Sequence, residues 1–156
     1  MSRPTNDPAA TSARPNDDLE RFVRAQERDY ATALAELRAG QKRTHWIWYV
    51  LPQLRGLGRS TMAREYGIAN RQEAMAYATH PVLGPRLVEC VEALLQHAGR
   101  RSAVEMLGET DAMKLRSCVS LFAAVAPQEA CFAEALRVFF GNAPDRETLR
   151  LLDESD

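Results

Sequence analysis

The sequence predicts an all-α fold, a compact single domain of about seven to nine short helices with a disordered N-terminal tail. Apolar residues recur at steps of three and four along most of the chain, which is the period of an amphipathic helix. Capping residues, prolines and glycines fall between these segments, where helices begin and end. Period-two alternation, typical of strands, has its one candidate at residues 46–50, and Pro52 limits its length.

The first 16 residues are predicted to be a disordered tail. They contain three prolines and no large apolar residue after Met1, so they have little surface to bury. The remaining residues, 17–156, are long enough for one hydrophobic core and are predicted to form a single helical domain. Asp17 or Asp18 can cap its first helix.

That first helix has the clearest pattern, and Gly40 is placed to end it. Glu27, Asp29 and Glu36 fall outside the apolar face and are predicted to be solvated. The apolar face comprises Leu19, Phe22, Val23, Gln26, Tyr30, Ala33, Leu34 and Leu37.

Later helices are predicted from their boundary residues. Starts are expected at or near Ser60, Asn70, Pro85, Ser102, Asp111, Pro127 and Asp145. Stops are expected near His80, Gly99, Gly108 and Gly141. Inward positions on the last long helices are Leu115, Phe122, Phe132 and Leu136.

Composition excludes several classes of protein. A formal net charge of -1 argues against a dedicated nucleic-acid binder. The three cysteines are too few and too scattered for a disulfide framework or a zinc site, so buried thiols are expected, with no metal and no cofactor. No apolar run approaches the ~20 residues of a membrane span, and no signal peptide is visible. We therefore expect a cytoplasmic protein, with its oligomeric state open.

Positive charge and aromatic rings are concentrated between residues 43 and 64. No acidic residue occurs between Glu36 and Glu65, and that gap contains six cations, Arg38, Lys42, Arg43, Arg55, Arg59 and Arg64. Such a segment in a chain that is nearly neutral overall suits a small anion or a nucleotide.

Trp46 and Trp48 cannot share a face if their segment is helical. Aromatic residues at this density mostly fill cores, and the other interpretation keeps one ring at a cleft wall, where it stacks on a base or ribose. His45, at the entry to the run, is read most simply as a packed or surface residue, and it is otherwise a candidate ligand-binding residue.

The segment Gln53–Ser60 predicts a phosphate cradle. Gly56 and Gly58 permit close approach of backbone to a ligand, and Ser60 begins a helix whose free N–H groups favour an anion. Arg55 and Arg59 add charge on either side. The spacing lacks the third glycine and the preceding strand of the known glycine-rich fingerprints, so an ordinary turn with an N-cap is equally consistent. The predicted ligand-binding residues are His45, Trp46, Trp48, Gln53, Arg55, Gly56, Gly58, Arg59 and Ser60.

Catalysis is left open by the sequence. Glu20 and Glu65 are the candidate catalytic carboxylates, since cleavage of a glycosidic bond needs such a group. A second basic point, K-L-R-S from Lys114, is read most simply as a solvated polar face.

Three stretches of this chain resemble a known bacterial family, the domain of unknown function 1810. They are T-H-W-I-W-Y-V-L-P-Q-L-R-G-L-G-R-S, H-P-V-L-G-P-R-L and K-L-R-S-C-V-S-L-F. Members often carry the label "calpastatin", which nothing in this sequence supports. The resemblance implies a mostly helical single domain over roughly residues 17–152, without a settled biochemical role.

The stretch L-E-R-F-V-R-A-Q-E-R-D-Y, from Leu19, faintly resembles S-E-H-Y-F-Q-A-Q-K-F in the NADAR proteins, small helical domains that cleave N-glycosidic bonds. The resemblance implies Glu20 as the motif's acid and Gln26 as its second glutamine. Leu19, Arg21 and the Glu27–Arg28 pair depart from the motif.

Two functional hypotheses follow. The first is a binder of a phosphorylated nucleoside or ADP-ribose-like ligand, with hydrolysis of its N-glycosidic bond as a further possibility. The second is a non-catalytic protein-interaction module with a basic, aromatic face. They differ in whether residues 46–59 are concave and partly exposed or simply packed.

Overall fold

The computed structural model describes residues 15–154, and the side chains of residues 19–154. Over this range the chain forms nine helices. They are α1 Pro15–Ala39, α2 Ile47–Val50, α3 Thr61–Glu65, α4 Arg71–Thr79, α5 Leu83–Leu95, α6 Ala103–Leu107, α7 Glu109–Val125, α8 Ala130–Phe140 and α9 Arg146–Glu154. Strand-like pairing within this range is a parallel β-bridge between Leu54 and Ile68. The predicted all-α fold is confirmed.

The N-terminal tail lies almost entirely outside the described residues, so its disorder and the division at residue 17 stay predictions. The first helix is described from Pro15, two residues before the predicted cap. None of the helices within residues 15–154 is long and apolar enough to cross a membrane.

The core is built around two long helices. Helix α1 packs against α2, α4 and α5, and α7 packs against α4, α6, α8 and α9. The ring of Phe122 on α7 lies 5.5 Å from that of Tyr77 and 5.6 Å from that of Phe132. The four predicted inward residues of α7 and α8 are all buried, which confirms the assigned faces.

Local capping chemistry sets most of the boundaries. Ser102 and Glu105 form the predicted capping box, and Ser60 and Asp145 accept hydrogen bonds from the first turns of α3 and α9. At the end of α1, Gly40 adopts a φ of +72°. Its N–H bonds to the carbonyl of Leu37, and the next N–H bonds to that of Glu36, as in a Schellman motif.

Three boundaries differ from the predictions. Helix α7 begins at Glu109, so Asp111 lies inside its first turn. Helix α8 begins at Ala130, three residues after Pro127. Helix α5 ends at Leu95, and hydrogen-bonded turns continue toward Gly99.

The three cysteines are free and buried, as expected. Burial raises the pKa of the Cys90 and Cys131 thiols to about 12. Because a thiol with such a pKa stays protonated at neutral pH, these cysteines fill core space as small apolar groups.

Candidate functional site

Trp46 is a core residue. Its side chain is 1% exposed, and its indole N–H donates to Glu36 Oε1 at 2.8 Å. A ring held this way cannot reach a ligand that arrives from solvent. The interpretation that the Trp46 ring forms the wall of a ligand cleft is therefore wrong, and this ring is packed in the core.

Glu36 ties the loop after α1 back onto the helix. Its carboxylate accepts four hydrogen bonds, from the Arg43 N–H, the Thr44 N–H, the Thr44 hydroxyl and Trp46. Burial by itself would raise the pKa of Glu36, but these donors favour the charged form and lower the pKa to about 2. The prediction that Glu36 is solvated is wrong, because the loop folds back over it. Asp29 is also half-buried and accepts from the Tyr49 hydroxyl.

Trp48 lies beside a small cavity of about 10 Å³. The ring is half-buried, and its Nε1 atom is buried without a hydrogen-bond partner in the described part of the chain. The Lys114 ammonium lies 5.5 Å from the centre of the Trp48 ring. The cavity is lined by Ile47, Trp48, Leu51, Gln53, Ala63, Tyr66, Gly67 and Lys114.

Two lysines share one carboxylate next to this cavity. Asp111 Oδ2 lies 2.8 Å from Lys42 Nζ, and Asp111 Oδ1 lies 3.7 Å from Lys114 Nζ. Lys42 Nζ also donates to the Thr44 carbonyl at 2.6 Å and lies 5.0 Å from the centre of the Trp46 ring. The structure thus joins the aromatic run to the K-L-R-S stretch, which the sequence suggested only as a solvated face.

The segment from Gly56 to Ser60 is a tight turn that leads into a very short helix. Helix α3 has five residues, and the Ser60 hydroxyl oxygen accepts a hydrogen bond from the Ala63 N–H at 3.0 Å. A Cβ on Gly58 would lie 2.7 Å from the Ala63 Cβ, and Gly56 has a φ of +103°. Chain geometry alone therefore accounts for both glycines, and Ser60 acts as an N-cap.

Three arginines lie in and beside this segment, and they differ in their contacts. Arg55 donates to the Gly67 carbonyl at 3.1 Å, while Arg59 and Arg64 are exposed. Among residues 19–154, no carboxylate forms an ion pair with any of the three. We call these three residues the basic loop.

The comparisons with known proteins agree with the motifs. A family described as "Protein of unknown function (DUF1810)" matches residues 16–152. The chain belongs to this DUF1810 family. The crystal structure of the conserved hypothetical protein Rv1873 from Mycobacterium tuberculosis is similar, with 46% sequence identity and a TM-score of 0.85. The match covers 87% of this chain and 96% of that one. No curated protein matches.

The candidate carboxylates of this DUF1810 protein are both exposed. Glu20 lies on α1 and Glu65 is the last residue of α3. The backbone carbonyl of Glu65 accepts from Arg21 Nε at 2.8 Å. Neither glutamate lines the cavity beside Trp48. His45 is also exposed, and its backbone carbonyl accepts from the Tyr49 hydroxyl.

Gln26, the second residue that the NADAR likeness picks out, is a buried structural residue in this DUF1810 protein. Its side-chain NH₂ donates to the Tyr49 carbonyl at 2.7 Å and to the Tyr77 hydroxyl at 3.0 Å. Arg86 Nη1 approaches its carbonyl oxygen at 3.5 Å. The sequence alone did not identify Lys42, Asp111 and Lys114 as site residues. The one signal for them in the sequence is the three-residue spacing of Asp111 and Lys114, which places both on one face of a helix.

Proposed function

We propose that this DUF1810 protein binds a phosphorylated small molecule, of the nucleotide or ADP-ribose class, through the basic loop. One observation carries the proposal. Three arginines within ten residues form no ion pair in the described chain, and no acidic residue lies between Glu36 and Glu65 to offset their charge locally. Positive charges without carboxylate partners attract anions, so an anion is the partner that this loop favours.

Binding is supported better than cleavage. Hydrolysis of an N-glycosidic bond requires a carboxylate placed against the sugar. Glu20 and Glu65 are open to solvent, and within residues 19–154 neither faces a second carboxylate across a cavity beside the aromatic run. The proposal is therefore limited to binding.

A second candidate is the protein-interaction module. The observation that favours it is that most of the aromatic run is packed, since Trp46, Ile47, Tyr49, Val50 and Leu51 are all buried. A shallow basic surface over a packed core suits an acidic segment of another protein as well as a phosphate.

A thermal-shift screen over nucleotides, ADP-ribose, phosphosugars and a glutamate-rich peptide tests both candidates. A ligand at ~100 times its dissociation constant should stabilise the fold by about 2.7 kcal/mol. Potassium chloride at matched ionic strength is the control. If only the acidic peptide raises the melting temperature, the interaction module replaces the proposal. If no phosphorylated compound exceeds the salt control, the proposal is wrong.

A further inference from the structure

Two residues that carry hydrogen-bond donors, Trp48 and Lys114, line the cavity. The Trp48 Nε1 atom is buried and has no partner in the described chain. The Lys114 ammonium has three N–H donors, and its nearest described carboxylate oxygen, at 3.7 Å, lies beyond hydrogen-bond distance. Buried donors are almost always satisfied in folded proteins, so Trp48 Nε1 calls for an acceptor that the described chain does not supply. Lys114 is a partly exposed donor that lines the same cavity.

The charge around Lys114 is under-compensated. Asp111 turns its other oxygen to Lys42, whose side chain is 7% exposed, so two ammonium groups depend on one carboxylate. Glu36, the other carboxylate bound in this region, already accepts four hydrogen bonds from the loop after α1. The acceptor that is favoured beside Lys114 is therefore a negatively charged one.

The dimensions of the cavity restrict what enters it. A space of about 10 Å³ holds a single oxygen-sized atom, close to the minimum for one water molecule. The Lys114 side chain is 22% exposed, so this edge of the cavity is reached from solvent. A group that places one oxygen inside and the rest of its atoms outside fits this arrangement.

We propose that the cavity between Trp48, Gln53 and Lys114 binds one oxygen of an oxyanion, a carboxylate or a phosphate. Lys114 Nζ and Trp48 Nε1 donate to that oxygen, and Asp111, which is itself paired with Lys42, positions Lys114. The inference deepens the proposed function by adding an anchor for the ligand. It rests on the proposed function only in taking the ligand to be anionic, and it does not require Arg59.

The test is a titration followed by ¹H–¹⁵N NMR of the two tryptophan indole N–H groups. Trp48→Phe assigns the two signals, and Trp46, bonded to Glu36, serves as the internal control. Inorganic phosphate and acetate are added separately, with potassium chloride as the salt control. Either anion should shift the Trp48 signal downfield to saturation and leave the Trp46 signal in place. The ratio of the two affinities identifies the source of the oxygen.

Lys114→Gln should lower the affinity for the anion by about tenfold or more, and Lys114→Arg should retain most of that affinity. An unchanged Trp46 signal shows that each variant is folded. The inference is wrong if neither anion shifts the Trp48 signal, or if the shift is the same in Lys114→Gln.

Arg59→Ala separates the two proposals, because it should weaken the binding of phosphorylated ligands and leave the acetate response intact. A Trp48 response without binding of any phosphorylated compound would retain the cavity site and reject the proposed function.

Discussion

The indole N–H of Trp46 donates to the carboxylate of Glu36 at 2.8 Å, and both side chains are buried. This hydrogen bond joins the first residue of the aromatic run to the last turn of α1. Trp46, a candidate for stacking on a ligand, is therefore part of the core, and its N–H helps to stabilise the charged Glu36 carboxylate there.

Glu36 should make stability depend on acid pH. Its pKa falls from an ordinary 4.5 to about 2 in the folded protein. A depressed pKa means that the stabilisation is complete above pH 4.5 and is lost as the pH falls toward 2. The difference corresponds to about 3 kcal/mol. Glu36→Gln should therefore cost about 3 kcal/mol at pH 7 and flatten the pH dependence, as measured by urea unfolding at pH 7, 5 and 3.

Glu27→Gln is the matched control for that experiment, since Glu27 is exposed on the same helix. Its effect should stay within about 0.5 kcal/mol. Equal stabilities of Glu36→Gln and the wild type at pH 7 would show that the four hydrogen bonds to this carboxylate contribute little.

Substitution by phenylalanine should destabilise the protein more at Trp46 than at Trp48. Trp46→Phe removes a hydrogen bond and leaves a buried carboxylate oxygen short of a donor, so it should cost at least about 2 kcal/mol. Trp48→Phe removes a donor that has no acceptor, which offsets the lost packing, and should cost less than about 1 kcal/mol. Urea unfolding of both variants checks this order, and a reversed order would contradict the assigned environments.

Local signals in the sequence predicted the fold well because helix boundaries depend on neighbouring residues. The capping box of Ser102 and Glu105 and the turn at Gly40 are formed within a few residues of chain. The apolar face of α7 was likewise visible from its spacing. In each case the information lies within one or two helical turns.

The candidate site was predicted less well because its contacts are distant in sequence. The sequence indicated that Trp46 and Trp48 differ, but the buried ring is identified only by the loop folding onto Glu36. Lys114 meets Trp48 across 66 residues of chain, and no local pattern specifies that contact. The phosphate cradle expected at Ser60 needed a long helix with a strong dipole at its N-terminus. Helix α3 has only five residues, and the sequence did not reveal that length.

Phe122→Ala should be strongly destabilising. Phe122 is fully buried between Tyr77 and Phe132, and truncation leaves a cavity that these neighbours cannot fill. The expected cost is roughly 3–5 kcal/mol, measured by urea unfolding. A nearly neutral result would mean that the core relaxes around the site or that α7 presents another face.

Gly67→Ala should disrupt the turn that positions the basic loop. A Cβ at this position would lie 2.6 Å from the Arg55 Cα and 2.8 Å from the Ala63 carbonyl oxygen. Both are backbone atoms, so neither can rotate away as a flexible side chain could. We expect a loss of about 1–3 kcal/mol in urea unfolding. Unchanged stability would indicate that the loop shifts freely.

Arg59→Ala separates a ligand site from a structural ion pair. Arg59 has no carboxylate partner among residues 19–154, so the substitution should leave stability unchanged or slightly improved. The same change should weaken a phosphorylated ligand by about 1.5–3 kcal/mol, as expected for a charged hydrogen bond. Urea unfolding gives the first quantity, and calorimetric titration with the best compound from the thermal-shift screen gives the second.

Arg100→Ala is the matched control for Arg59→Ala, because it removes an exposed arginine at the opposite end of α1. Arg21 and Arg55 both bond to Gly67 near the start of that helix, whereas the Arg100 N–H bonds to His97, whose ring contacts Leu37 near its end. The helix rises about 27 Å between Arg21 and Ala39. Equal losses of affinity in both variants would reveal only a general effect of net charge, and a large loss of stability in Arg59→Ala would make the arginine part of the fold. A loss of affinity confined to Arg59→Ala is the outcome that a ligand site on the basic loop requires.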